Sequence, residues 1–187
     1  NHMHKQFNEI YHFIDKFKES DLTKLNSKIS LIYRNYKNKT DIKLIKKIKA
    51  FCKKTKRNFY LANNFELAYK LKLNGAYIPS FNKSLRHNCY NKRFGFKIIG
   101  SAHNLKEIII KEKQNVQDIF ISPLFKTSKY KNYLGLYRFI KLRKLSKKNI
   151  IPLGGINKKN IKMLKILESS DFAAISYINN ICNNNES

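Results

Sequence analysis

The residues of this chain best suited to chemistry stand at the ends of short apolar runs. Asn149-Ile150-Ile151-Pro152-Leu153 ends in Gly154-Gly155-Ile156-Asn157, and Asp171-Phe172-Ala173-Ala174-Ile175 ends in Ser176. Paired glycines at a strand-to-helix junction let the backbone come close to a ligand and turn free N–H groups toward it. Asn157 is placed to cap a helical segment over residues 158–167. The partial positive charge of a helix N-terminus suits a phosphate. An isolated Gly-Gly is more often a turn with no ligand. Two consecutive strand ends offering Gly-Gly and then Ser match the phosphate site built after the last two strands of a (β/α)8 barrel.

Other apolar runs deliver polar residues in the same way. Residues 29–33 lead to Arg34, 58–62 to Asn63 and Asn64, and 76–78 to a loop with Asn82. Residues 96–101 bring Ser101 and His103, and 118–122 bring Ser122 with Thr127 and Lys129. Together they are cationic, rich in neutral donors and almost free of carboxylates. Such a bowl fits one or two phosphate groups, held by charge-assisted hydrogen bonds and backbone amides. Each residue alone has a plainer reading: Asn63-Asn64 caps a helix, Lys129 is a surface lysine, His103 a partly buried loop histidine. Their recurrence at successive strand ends favours a shared site.

Eight such runs, near residues 11–14, 29–34, 58–62, 76–78, 96–101, 118–122, 149–153 and 171–175, alternate with helical patterns. Asp41 heads a helix with Ile42, Leu44, Ile45, Ile48 and Phe51 at a 3.6-residue period, and further helices are expected over 65–73, 105–113 and 134–145. The runs are apolar throughout, as strands buried on both faces require. The fold class is therefore α/β, a single (β/α)8 TIM barrel over residues 3–187. Asn1-His2 read as an expression scar. At 187 residues the barrel is slightly short, with a degenerate N-terminal region and deficits near the first and fourth helices. An open doubly wound sheet is the alternative, but no Gly-x-Gly-x-x-Gly follows the first run.

The formal net charge is +27 and is nearly all lysine, spread along the helical segments as solvated faces are. No arginine-rich tail or nucleic-acid-binding motif accompanies it, so nucleic acid is not the expected partner. No apolar run approaches the roughly 18 residues of a membrane span, and none reads as a signal peptide. Three cysteines without paired spacing argue against disulfides or zinc and for a cytoplasmic location. A second copy of the chain is the one macromolecular partner left open.

At these strand ends the chain resembles the thiamine phosphate synthase / TenI family, from about Ile29 to Ile178. Gly100-Ser101-Ala102-His103-Asn104-Leu105-Lys106-Glu107 is similar to the family's Gly-x-Ser-x-His-x-x-x-Glu stretch. Ser122-Pro123-Leu124-Phe125-Lys126-Thr127-Ser128-Lys129 is similar to its loop motif, and Gly154-Gly155 and Ser176 to its two phosphate-binding turns. The resemblance implies an enzyme of thiamine biosynthesis, a transferase joining hydroxymethylpyrimidine diphosphate to thiazole phosphate with Mg2+ on the departing diphosphate. It implies that Gly154, Gly155 and Ser176 hold the thiazole phosphate. Arg34, Asn63 or Asn64, Thr127 and Lys129 would then face the diphosphate, and Ser101 and His103 would line the reacting centre.

Two departures bear on that reading. Where the family has Arg-Glu-Lys, this chain has Arg34-Asn35-Tyr36. The family's two Mg2+-binding aspartates fall at Asn63 or Asn64 and at Asn82. Neutral amides leave the metal to the diphosphate and water, so weak or absent Mg2+ binding is expected. The same departures point to the alternative, a TenI-like thiazole tautomerase with His103 as acid/base, or a phosphate-binding paralogue without synthase activity.

Overall fold

The computed structural model describes residues 8–36, 40–128, 131–167, 169 and 171–174. Eight parallel strands alternate with helical crossovers: β1 (Glu9–Ile14), β2 (Ile29–Tyr33), β3 (Phe59–Ala62), β4 (Gly75–Ile78), β5 (Lys97–Ala102), β6 (Asp118–Ile121), β7 (Asn149–Pro152) and β8 (Asp171–Ala174). They form one sheet in the order β7-β6-β5-β4-β3-β2-β1-β8. Its two edges meet through a parallel bridge between Leu153 and Ala173. The architecture is a (β/α)8 barrel, nearly closed, as the apolar runs require.

Alternation along each strand separates two cores. Ile10, Ile29, Leu31, Phe59, Ile98, Ile119 and Phe172 pack outward beneath the helices. Tyr11, Phe13, Ile32, Tyr60, Tyr77, Ile99, Phe120, Ile151 and Ala173 fill the inside. Phe120 stands 4.9 Å from Tyr11 and 5.9 Å from Phe13, ring centre to ring centre. Burying a large side chain of this kind is worth about 1.5–3 kcal/mol, so this plug is a principal source of stability. Any ligand must therefore sit above the plug, at one end of the barrel.

The two ends differ in chemistry. At the N-terminal end Lys97 pairs with Asp118 and with Glu9 at 3.3 Å. Tyr11 donates to both carboxylates, and Ser30 donates to Glu9. Glu9, Lys97 and Asp118 thus close on one another inside the chain, and such closure belongs to stability. The C-terminal end carries Arg34, Asn63, Asn82, His103 and Gly154-Gly155.

The helices are α1 (Glu19–Thr23), α2 (Ile42–Lys54), α3 (Phe65–Lys70), α4 (Leu105–Lys113) and α5 (Gly135–Leu145). Asp41, Asn64 and Asn104 each accept an N–H of the first turn that follows them. The expected deficits are in place: α1 has five residues, and a 3-10 turn, Arg86–Cys89, replaces the fourth helix. The expected helix over residues 158–167 does not form. Asn157 turns the chain instead, its side chain accepting from Lys159 N and Asn160 N, and only a 3-10 helix, Ile161–Lys165, follows. Local Asx bonding satisfies the backbone there before an α-helix can. Among the described residues no helix is long and apolar enough to cross a membrane.

Candidate functional site

Arg34 follows β2, and its backbone N–H donates to Ile14 O, 2.8 Å away. That bond turns the half-buried side chain over the top of the plug, with the guanidinium 5.1 Å from the centre of the Phe13 ring. Burial pushes the Tyr77 phenol up from its ordinary pKa, opposed by the Ser101 hydrogen bond and by the Arg34 charge. Arg34 thus places a fixed positive charge at the floor of the bowl.

Next along the rim, Asn63 adopts a left-handed backbone, φ 56°, which asparagine tolerates. Its side-chain Oδ1 accepts from Asn82 Nδ2 at 2.8 Å, and Asn82 Oδ1 accepts from Ser84 N at 2.9 Å. Asn64 is the cap of α3, with its oxygen on Leu67 N at 3.1 Å. All three amide oxygens are therefore engaged by N–H donors. Among the described residues no group of three His, Cys, Asp or Glu side chains could hold a metal ion. A neutral donor set already committed to amide protons does not fit Mg2+, which is ordinarily held by carboxylates together with substrate oxygens.

Beneath this loop lies a residue that the sequence pattern hides. Lys111 of α4 is wholly buried, with Nζ 2.8 Å from Pro79 O, Asn82 O and Gln114 Oε1. Gln114 completes the clamp by donating to Asn82 O and Ser84 O. Burial pulls the Lys111 pKa down to about 8, with the Glu107 charge opposing, so the ammonium persists at neutral pH.

Ser101 and His103 leave β5 with different tasks. Ser101 is buried, and its Oγ accepts from Tyr77 OH at 2.7 Å and Ser80 N at 3.1 Å. His103 is exposed in the bowl. Its Nδ1 donates to Ser122 O at 2.7 Å, leaving Nε2 to accept from Ser80 Oγ at 3.2 Å. A carbonyl partner fixes that tautomer. Glu107 caps the chain behind it, accepting from His103 N at 2.8 Å.

Across the bowl the Gly-Gly turn packs against the loop after β6. Gly154 and Gly155 have φ of 92° and 72°, and a Cβ on Gly155 would lie 2.5 Å from Phe125 O. Phe125 N donates to Gly154 O, and Leu124 N to Leu153 O. Asn157 and Asn160 amides both hold Gly155 O. With the carbonyls turned away, the N–H groups of Gly155 and Ile156 meet no acceptor among the described residues. This turn needs no α-helix behind it to present amides.

The strand ends thus bring Arg34, Asn63, Asn82, His103 and Gly154-Gly155 to one end of the barrel, with Thr127 half-buried in the adjacent loop. Asn64 is committed to its helix and Ser101 to the layer below. Lys129 and Ser176 lie outside the described residues. Ser80, Tyr77 and Lys111 were missed from the sequence. Ser80 carries a faint signal, following β4 as the other candidates follow their strands, whereas Lys111 has none.

The sequence model of the family described as Thiamine monophosphate synthase matches residues 20–178. A thiamine-phosphate synthase of Pelagibacter ubique is 32% identical over 160 residues, covering 81% of this chain and 75% of its own. A thiamine-phosphate synthase of Prochlorococcus marinus is 29% identical over 84% of this chain, which spans 47% of that relative. A thiamine phosphate pyrophosphorylase structure from Pyrococcus furiosus superposes with a TM-score of 0.72 at 15% identity, covering 95% of this chain and 93% of that one.

Proposed function

Because the chain belongs to the thiamine monophosphate synthase family, we propose that it joins hydroxymethylpyrimidine diphosphate to thiazole phosphate and releases diphosphate. The observation that carries this is the pairing, at one end of the barrel, of an amide-presenting Gly-Gly turn with a separate cationic floor at Arg34. Two phosphorylated partners need two anion sites. A bowl with one on each side offers them.

In this reading the Gly155 and Ile156 amides hold the thiazole phosphate, with Ser176 completing the site, while Arg34, Thr127 and Lys129 face the diphosphate. The bond between the pyrimidine methylene and the diphosphate oxygen breaks, and both electrons leave with the diphosphate. The pyrimidinylmethyl cation that remains is captured by the thiazole nitrogen lone pair. Charge moves onto the departing diphosphate as the barrier is crossed, so a preorganised cation at Arg34 stabilises the transition state more than the substrate. His103, held between Ser80 and Ser122, lines the reacting centre, and Ser101 positions Tyr77 and Ser80 from below.

The neutral pair Asn63–Asn82 and the fixed tautomer of His103 favour a second reading, a TenI-like thiazole tautomerase. There Nε2 would take up a proton from one position of the ring system and return it at another. Incubation with both phosphorylated halves separates the two. Thiamine phosphate and diphosphate in equal amounts support the synthase. Absence of product with both halves, with or without Mg2+, together with isomerisation of the thiazole carboxylate phosphate alone, supports the tautomerase.

A further inference from the structure

Resting on the synthase reading of this site, we infer that the chain binds the diphosphate of its substrate without a divalent metal ion, meeting its charge with fixed cations of its own: Arg34 in the bowl and the buried ammonium of Lys111 behind Asn82.

Three observations converge on it. The first is the state of the amide oxygens. Asn63 Oδ1 accepts from Asn82, Asn82 Oδ1 from Ser84 N, and Asn64 Oδ1 from Leu67 N. The Ser84 bond decides which way the Asn82 amide faces, and it turns the NH2 group, not the oxygen, toward Asn63. A cation entering here meets a donor. The second is the cross-link itself: one amide hydrogen bond joins the loops after β3 and β4, where two carboxylates would repel each other unless a metal lay between them. The third is the charge beneath. Lys111 Nζ is 2.8 Å from the backbone oxygen of Asn82, and its three acceptors are all neutral. Burial opposes that charge and the Glu107 carboxylate offsets part of it, yet three short hydrogen bonds to neutral oxygens hold the ammonium in place at neutral pH. That charge disfavours a divalent cation beside Asn82 and favours an anion in the same place.

Lys111 acts through the field and through the loop it holds, so it is a positioning residue. Lys111→Gln can keep hydrogen bonds to the loop while removing the charge, which separates the two contributions.

The test is calorimetric titration of the full chain with inorganic diphosphate, once in excess EDTA and once in millimolar Mg2+. The expected result is the same affinity within about twofold in both. Lys111→Gln is expected to weaken diphosphate about tenfold and inorganic monophosphate less, with thermal melting confirming that the variant is folded. Binding that rises tenfold or more in Mg2+ and disappears in EDTA overturns the inference and leaves the synthase reading standing. No binding of diphosphate in either condition overturns both. Unchanged diphosphate affinity in folded Lys111→Gln removes Lys111 from the account.

Discussion

Asn82 hands its side-chain amide to the oxygen of Asn63 across 2.8 Å, and this one bond ties the loop after β4 to the loop after β3. Because Asn82 also accepts from Ser84 N, its amide is fixed at both ends. Asn82→Ala removes both bonds at a half-exposed place. A hydrogen bond is worth about 0.5–1.5 kcal/mol net, so KM for the pyrimidine diphosphate should rise roughly 3–10-fold with kcat little changed. Steady-state kinetics at saturating thiazole phosphate measures this. An unchanged KM would mean that the cross-link does not shape the diphosphate side.

The Gly-Gly turn makes a sharper prediction. Gly155→Ala places a Cβ 2.5 Å from Phe125 O on a backbone with φ 72°, whereas at Gly135, φ 75°, an added Cβ meets nothing within 4 Å. Strain alone costs about 1 kcal/mol, and strain plus the clash about 3 kcal/mol. Thermal melts should show Gly135→Ala lowered by about 2–4 °C and Gly155→Ala by about 6–12 °C. Equal shifts would refute the packing of this turn on the Phe125 loop.

His103 divides the two functional readings. In synthesis it bridges Ser80 and Ser122, and losing that bridge, at about 1.4 kcal/mol, should lower kcat about tenfold in His103→Ala. As a general acid/base it would be worth about 10²–10⁴-fold. Rates of thiamine phosphate formation and of thiazole carboxylate phosphate isomerisation, each measured for the variant against the native chain, distinguish these ranges.

At the opposite end, Lys97 closes a network with Glu9 and Asp118. Lys97→Met strands two partly buried carboxylates and should cost roughly 3 kcal/mol in chemical denaturation. KM for both substrates should stay at the native value. A change in KM with no loss of stability would reverse the division of labour between the two ends.

Stability should also fall on acidification for a reason located in β1. His12 is buried with Nδ1 against Ala174 O, and burial lowers its pKa below the usual value. The unfolded chain takes up a proton as pH drops through about 6.5, while the folded chain resists until lower pH. The unfolded state then holds more protons, so stability declines with falling pH across that window. Melting curves between pH 7.5 and about 5 should show the decline, and His12→Gln should lessen it, the remainder coming from His87, whose pKa burial also lowers.

The barrel was legible because each strand is a short apolar run bounded by turn-forming residues, and because Asp41, Asn64 and Asn104 announce the helices they cap. The region after Gly155 was misread. Asn157 looks like the start of a helix, but its side chain and that of Asn160 bond to Gly155 O and to one another's backbone. Lys111 could not be read at all. Its chain position resembles that of any solvated helix lysine, and only the space left by Gly100, where a Cβ would stand 3.0 Å from Lys111 Cδ, lets it turn inward. The closure by Glu9, Lys97 and Asp118 joins residues far apart in sequence, for which no local pattern exists.

A crystal of the chain soaked with thiazole phosphate and inorganic diphosphate tests the two-anion bowl most directly. The account predicts the thiazole phosphate on the Gly155 and Ile156 amides and the diphosphate across the bowl within reach of Arg34. Both anions in one place, or scattered over lysines on the helix faces with the strand ends empty, would contradict it.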